Sequence, residues 1–156
     1  MLKRKFYNKL LDWKEKANKK PLFVRGARQI GKTYIIDYFG KTNYSSYIYI
    51  NFLENSEYKR IFDSALNAAT IYSRMSLMIQ SARFVENDTL IFLDEIQECG
   101  NARTALKFLA QDARYDIVVS GSLLGVQYKN VKSIPVGYEE PVTMHSLDFE
   151  EFLWAK

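Results

Sequence analysis

One short glycine-rich motif limits the folds open to this chain more than any other feature. Between an apolar run and a stretch with helical spacing lies a match to G-x-x-x-x-G-K-[ST], which reads Gly26-Ala27-Arg28-Gln29-Ile30-Gly31-Lys32-Thr33. The glycines of this pattern let the backbone wrap with its N–H groups inward, and the following helix adds its positive N-terminal end. The sequence therefore predicts a phosphate-binding loop between a strand and a helix.

The residues of this loop have distinct expected roles. Lys32 is placed to reach the β- and γ-phosphates of a nucleotide, and the hydroxyl of Thr33 is placed to ligate Mg²⁺. The predicted nucleotide-binding set is Gly26, Ala27, Arg28, Gln29, Ile30, Gly31, Lys32, Thr33 and Tyr34. The alternative, a glycine turn that carries a lysine by chance, needs four constrained positions to coincide, so it is the weaker interpretation.

Two adjacent carboxylates, Asp94 and Glu95, follow a second apolar run. Ligands of open α/β sheets bind at the carboxyl ends of the strands, where the phosphate loop also lies. We expect Asp94 to hold Mg²⁺ and Glu95 to accept a proton from the water that attacks the γ-phosphate. A solvated turn would be the simpler interpretation of an isolated Asp-Glu pair, and the loop upstream favours a function instead.

A third apolar run ends in Ser120-Gly121-Ser122. The hydroxyl of Ser120 is expected at the same height as the two carboxylates, where it would sense the γ-phosphate or orient the water. This signal is weak on its own, because serine and glycine commonly end strands. The predicted catalytic residues are thus Glu95, Lys32 and Ser120, and the predicted metal ligands are Thr33 and Asp94.

Helical and strand patterns alternate along the rest of the chain. Helical patterns cover residues 4–17, the segment from Gly31 to a stop at Gly40, two short helices within 56–83, and 101–113; strand patterns cover 22–24, 47–52, 89–93, 116–120 and 142–145. Residues 129–141 are expected to form a loop, and Asp148 is expected to cap a last helix. This alternation predicts a mostly parallel sheet covered by helices.

Composition excludes several classes of protein. A chain of 156 residues with 47% hydrophobic and 26% charged residues fits one globular domain, and its single cysteine and single histidine argue against disulfide scaffolds and multi-histidine metal sites. Residues 1–20 hold eight of the 22 Lys and Arg against two acids, so the net charge of +4 belongs to one end of the chain. No apolar run approaches membrane-spanning length, and we expect a soluble, cytoplasmic protein without a membrane partner.

In this order, the motifs resemble those of the prokaryotic predicted ATPases of the AAA+ superfamily. The segments that carry the resemblance are Arg25–Thr33, Ile91–Gln97, Val119–Leu124, Pro135–Gly137 and Leu147–Leu153. The resemblance implies a three-layer α/β/α P-loop NTPase with a mostly parallel sheet of about five strands. It also implies a Walker A loop at 26–33, a Walker B pair at Asp94 and Glu95, and a sensor position at Ser120.

The family usually continues into further C-terminal domains, and its catalysis generally needs an arginine from a neighbouring subunit or a following domain. After Ser120 this sequence offers lysines but no arginine. Arg114 is expected at the sheet edge opposite the nucleotide. Arg103, which starts the helix after the acidic pair, is expected on the same edge as the nucleotide, but a solvated helix end is the better interpretation of it. We therefore expect a basic helix at 1–20 packed on an ATPase core at 21–156, without C-terminal domains, whose missing arginine comes from a homo-oligomer or another domain.

Two functions remain open at this point. The first is Mg²⁺-dependent ATP hydrolysis, slow in this chain; the lack of a guanine-reading N-K-x-D motif favours ATP over GTP. The second is a nucleotide-gated module for binding DNA or protein, in which hydrolysis is incidental. The basic residues of 3–20 support a nucleic-acid partner only weakly, because a solvated amphipathic helix explains them as well.

Overall fold

A computed structural model describes residues 5–26, 31–64, 67–122 and 139–145. Its helices are α1 (Lys5–Glu15), α2 (Lys32–Asn43), α3 (Ala68–Met78) and α4 (Gly100–Asp112), with 3₁₀ turns at Ser56–Phe62 and Ile96–Glu98. Its strands are β1 (Leu22–Gly26), β2 (Ser46–Asn51), β3 (Thr89–Asp94), β4 (Asp116–Ser122) and β5 (Glu140–Thr143). The predicted loop at 129–141 falls mostly outside the described residues, but residues 140 and 141 belong to β5, so the strand expected at 142–145 begins two residues earlier. The predicted helix start at Asp148 falls wholly outside the described residues.

The five strands form one parallel sheet in the order β2-β3-β4-β1-β5. All carboxyl ends therefore lie at the same edge, as the alternation of helices and strands predicted. Strand β4 lies between β1 and β3, so the phosphate-loop strand and the acidic strand are second neighbours. This order confirms the predicted α/β fold with a mostly parallel sheet of about five strands.

Helices cover both faces of the sheet. On one face α1 and α2 bury a cluster that includes Leu10, Ile36 and Phe39 against β1, β3 and β4. On the other face α3 and α4 pack a second cluster that includes Met75 and Leu106. Every residue of β3 is buried, because this strand is covered on both sides, which explains its continuous apolar sequence.

The glycine at position 40 does not stop α2, which was a wrong prediction. The helix continues to Asn43, and Gly40 is buried within it. A Cβ atom at this position would lie 2.4 Å from the ring of Tyr47 and 3.0 Å from Leu90. The glycine is required by the close approach of the helix backbone to the sheet, and its low helix propensity does not end the helix.

Candidate functional site

The predicted phosphate loop begins at the carboxyl end of β1 and leads into α2. Gly31 has a φ of 89°, in the left-handed region that glycine adopts readily, and Lys32 is the first residue of the helix. The Lys32 ammonium is buried and donates a hydrogen bond of 2.8 Å to the carbonyl oxygen of Gly26. The two ends of the motif are thus tied together, while the predicted contacts of residues 27–30 lie outside the described residues.

A hydrogen bond joins this loop to the acidic strand. The hydroxyl of Thr33 lies 2.7 Å from Asp94 Oδ2, although the two residues are 61 positions apart in the sequence. Because β4 separates β1 from β3, this contact crosses above the end of the intervening strand. The structure therefore brings together the two residues that the sequence predicted as metal ligands.

Four hydrogen bonds hold the carboxylate of Asp94, which is only 2% exposed. Oδ1 accepts from the hydroxyl of Ser120 and from the backbone N–H of Glu95 at 2.9 Å. Oδ2 accepts from Thr33 and from the hydroxyl of Tyr49 at 2.8 Å. A buried carboxylate is costly unless its oxygens are hydrogen-bonded, and these donors fill both of them.

Ser120 lies on β4, fully buried, between the strands that carry the loop and the carboxylate. Its hydroxyl donates to Asp94, so its observed contact is with a neighbouring side chain of the site. The predicted role of Ser120 as a sensor of the γ-phosphate is not tested by this contact and stays a prediction.

Glu95 follows Asp94 in a left-handed conformation, with φ 58° and ψ 49°. This conformation is uncommon outside glycine, asparagine and aspartate, and it is often found at functional sites. The amide of Gln97 donates a hydrogen bond to Glu95 Oε2, and Gln97 itself is buried at the same turn. The turn thus directs Glu95 away from the β3 ladder and gives its carboxylate a defined partner.

The donor set at this edge of the sheet fits Mg²⁺. Thr33 and Asp94 supply a hydroxyl and a carboxylate oxygen, which are the hard ligands that this ion prefers. No group of three or more His, Cys, Asp or Glu side chains that could hold a metal occurs among the residues that the structure describes. Mg²⁺ is commonly bound by one or two protein oxygens together with phosphates and water, so a sparse donor set is consistent with it.

Tyr49 and Asn51 belong to this site, and the sequence analysis missed them. Both lie on β2, where Asn51 is paired with Asp94 in the β2–β3 register. Burial is the main cause that raises the pKa of Tyr49, so its hydroxyl stays protonated and available as a donor. The alternating pattern of residues 47–52 predicted the strand correctly, but no local signal identifies the partner of a strand hydroxyl.

Arg103 is not a solvated helix end, contrary to the expectation from the sequence. Its side chain is 8% exposed, lies over the ring of Phe23 at 4.5 Å, and donates a hydrogen bond of 2.9 Å to Glu139. Burial, partly offset by Arg103, raises the pKa of Glu139. Arg114 pairs with Asp112 just before β4, at the edge of the sheet opposite the site, where it was expected.

Comparisons with known proteins agree with this fold. A sequence model described as an AAA domain matches residues 18–153. Among curated proteins, no sequence matches this chain. Within the described ranges, no helix is both long enough and apolar enough to cross a membrane.

Solved structures with a similar fold include three of low sequence identity. They are PCH-2 from C. elegans (TM-score 0.54, 12% identity), DnaA from Aquifex aeolicus bound to AMPPCP (0.57, 18%) and ORC1 from Aeropyrum pernix in complex with DNA (0.50, 16%). The matches cover 94%, 97% and 88% of this chain but 44%, 48% and 43% of the other chains. This likeness shows the fold, and the chain spans less than half the length of each of these proteins.

Proposed function

We propose that this chain, which belongs to the AAA domain family, binds ATP and hydrolyses it slowly with the help of Mg²⁺. The observation that carries the proposal is the 2.7 Å hydrogen bond between Thr33 and Asp94. It places the end of the phosphate loop beside a buried carboxylate at the sheet edge where ligands of such folds bind. A structural turn would not require a hydroxyl of the loop helix to meet an acid two strands away.

In the proposed reaction, Lys32 and the loop amides bind the β- and γ-phosphates. The ammonium of Lys32 would exchange its bond to the Gly26 carbonyl for phosphate oxygens. Thr33 and Asp94 would hold Mg²⁺, which when bound supplies charge neutralisation at the phosphates. The remaining donors on Asp94 keep its carboxylate in one orientation.

We assign the general base to Glu95. It directly follows the proposed metal-binding carboxylate, its side chain is half-buried, and in the proposed reaction it would accept a proton from the water that attacks the γ-phosphate. Ser120 would report on the phosphates through Asp94, with which its hydroxyl is bonded. We propose ATP as the nucleotide, because no N-K-x-D motif is present to read guanine.

Slow hydrolysis follows from the placement of the arginines. Arg103 lies in the first turns of α4, near the carboxyl edge of the sheet where we propose that the nucleotide binds. Its guanidinium, however, is buried against Phe23 and Glu139. Charge stabilisation by an arginine contributes strongly to the rate of P-loop enzymes. We propose that a second copy of the chain or a further domain supplies it to a core spanning 21–156.

The binding step is tested by Lys32→Ala, with Lys41→Ala as the matched control. Both lysines lie on α2, and Lys41 forms an exposed pair with Asp37. We expect Lys32→Ala to weaken ATP binding about 10- to 100-fold, the range for losing a hydrogen bond to a charged group. Calorimetric titration with ATP measures this, and equal affinities for wild type and Lys32→Ala would contradict the proposal.

The second candidate, a nucleotide-gated module that binds DNA, is less well supported. Lysines of the basic segment make intramolecular contacts: Lys14 lies over the ring of Tyr44, Lys16 pairs with Glu140, and Lys19 pairs with Asp116. We therefore propose that α1 and the residues that follow it up to Lys20 are mainly a structural part of the domain, anchored by Trp13. Salt-dependent DNA binding that disappears when Lys3, Arg4, Lys5 and Lys9 are neutralised would reverse this choice.

A further inference from the structure

A tyrosine on the edge strand β2 contacts the predicted metal ligand. The hydroxyl of Tyr49 lies 2.8 Å from Asp94 Oδ2, and the side-chain amide of Asn51 lies 3.1 Å from the same hydroxyl. The three side chains form one hydrogen-bonded row that leads from the end of β2 to the carboxylate. Neither Tyr49 nor Asn51 is part of the phosphate loop or of the acidic pair.

The direction of each hydrogen bond in this row is determined by its neighbours. Asn51 Oδ1 accepts from the backbone N–H groups of Leu53 and Glu54, both at 2.9 Å, so its nitrogen faces Tyr49 as a donor. The Tyr49 oxygen accepts that bond and keeps its proton for Asp94.

The row is rigid at both ends. Asn51 closes the turn after β2, and the N–H of Phe52 donates to the carbonyl oxygen of Asp94 at 3.1 Å. The ring of Tyr49 lies 5.3 Å from that of Phe92, centroid to centroid, which fixes its position on the sheet. Because the Tyr49 hydroxyl is already held in place, little side-chain conformational entropy is lost at Tyr49 when Asp94 binds a ligand.

We propose that Tyr49 is a positioning residue that holds Asp94 Oδ2 in the orientation needed to bind Mg²⁺ with the nucleotide. The inference rests on the proposed function. Thr33, the other donor to Oδ2, is itself a predicted metal ligand, so its hydroxyl has two uses. The Tyr49 hydroxyl donates its proton to Asp94. It would therefore keep Oδ2 in place when the Thr33 hydroxyl binds Mg²⁺ instead of Asp94.

The test compares Tyr49→Phe with Tyr47→Phe, which removes the same atom two positions earlier on β2, where the hydroxyl makes no hydrogen bond to Asp94. The affinity for a non-hydrolysable ATP analogue is measured with EDTA and over a range of Mg²⁺ concentrations. We expect Tyr49→Phe to leave the affinity for the analogue in EDTA unchanged. The Mg²⁺ concentration that gives half of the maximal increase in that affinity should rise about tenfold. Tyr47→Phe should match the wild type in both measurements.

A second variant separates positioning from folding. Asn51→Ser retains an acceptor for a turn amide, but its shorter side chain lacks the amide that donates to Tyr49. It should therefore shift the Mg²⁺ requirement in the same direction by about threefold, the low end expected for one neutral hydrogen bond. Thermal unfolding of each variant shows whether the fold persists. Tyr49→Phe retains the ring contact with Phe92, so we expect a folded protein.

Two failures are distinguishable. If the wild type binds the analogue and Tyr49→Phe and Asn51→Ser show the same Mg²⁺ requirement as the wild type, the inference is wrong and the proposed function stands. If the wild type binds no analogue with or without Mg²⁺, the proposed function is wrong and the inference is wrong with it.

Discussion

The carboxylates of Asp94 and Glu139 are both largely buried, yet they are held in opposite ways. Asp94, at the carboxyl edge of the sheet, accepts hydrogen bonds from four neutral donors. Glu139, beside the edge strand β5, is paired with the guanidinium of Arg103 at 2.9 Å. Among the described residues, Glu139 Oε2 and Arg103 Nε have no hydrogen-bond partner.

This difference separates a binding site from a structural contact. Neutral donors orient a carboxylate and leave its negative charge in place, so Asp94 can still attract a cation. A guanidinium compensates the charge of Glu139, so this carboxylate leaves no uncompensated negative charge to attract a cation. The comparison predicts that changes near Asp94 affect nucleotide chemistry, whereas changes at Arg103 and Glu139 affect stability.

The largest expected effect is on the chemical step. Glu95→Gln removes the proposed base beside Asp94 and should lower the rate of phosphate release by about 10²- to 10⁴-fold, with ATP binding retained. Glu98→Gln, three residues later, removes the same charge and serves as the control. A steady-state phosphate assay measures both variants, and unchanged turnover in Glu95→Gln would show that the base is another group.

Breaking the Arg103 pair should act on stability. Arg103→Met leaves Glu139 buried without its partner and should reduce the free energy of unfolding by about 3–5 kcal/mol, measured by urea denaturation. The double variant Arg103→Met with Glu139→Leu should recover most of this loss, because neither charge is then left alone. A loss of ATP affinity in a folded Arg103→Met protein would remove the distinction between the two carboxylates.

The smallest expected effect concerns pH. Because the pKa of Glu139 is raised in the folded state by burial, the folded chain binds more protons than the unfolded chain above the ordinary value of 4.5. The contribution of Glu139 to stability is therefore greatest at low pH and is lost as the pH rises through its folded pKa. Unfolding of Glu139→Gln should show a weaker decline over that window than the wild type, and parallel pH profiles would contradict the assignment.

The sequence predicted the parts of the site that depend on local patterns. The glycine spacing at 26–31 and the apolar run before Asp94 each require only neighbouring residues, and the parallel sheet follows from their alternation with helices. The contact between Thr33 and Asp94 could be expected as well, because the carboxyl ends of parallel strands share an edge. The exact roles predicted for Glu95 and Ser120 remain predictions.

The remaining features depend on residues that are distant in sequence. The bond from Tyr49 to Asp94 is determined by the β2–β3 register, which no pattern within either strand reveals. Arg103 lies near the start of a helix, where a charged residue is usually exposed. Its partner Glu139 lies 36 residues further along the sequence, so no local pattern reveals that Arg103 is buried. Glycine often ends a helix, but at position 40 it is required because the ring of Tyr47 packs directly against the helix backbone.

The close contact at Gly40 also has a mechanical consequence. With no side chain between the backbone of α2 and the ring of Tyr47, the second half of this helix has no room to move toward the sheet. A change in the contacts of Thr33, at the opposite end of the helix, therefore cannot be accommodated by pushing this half of α2 into the sheet.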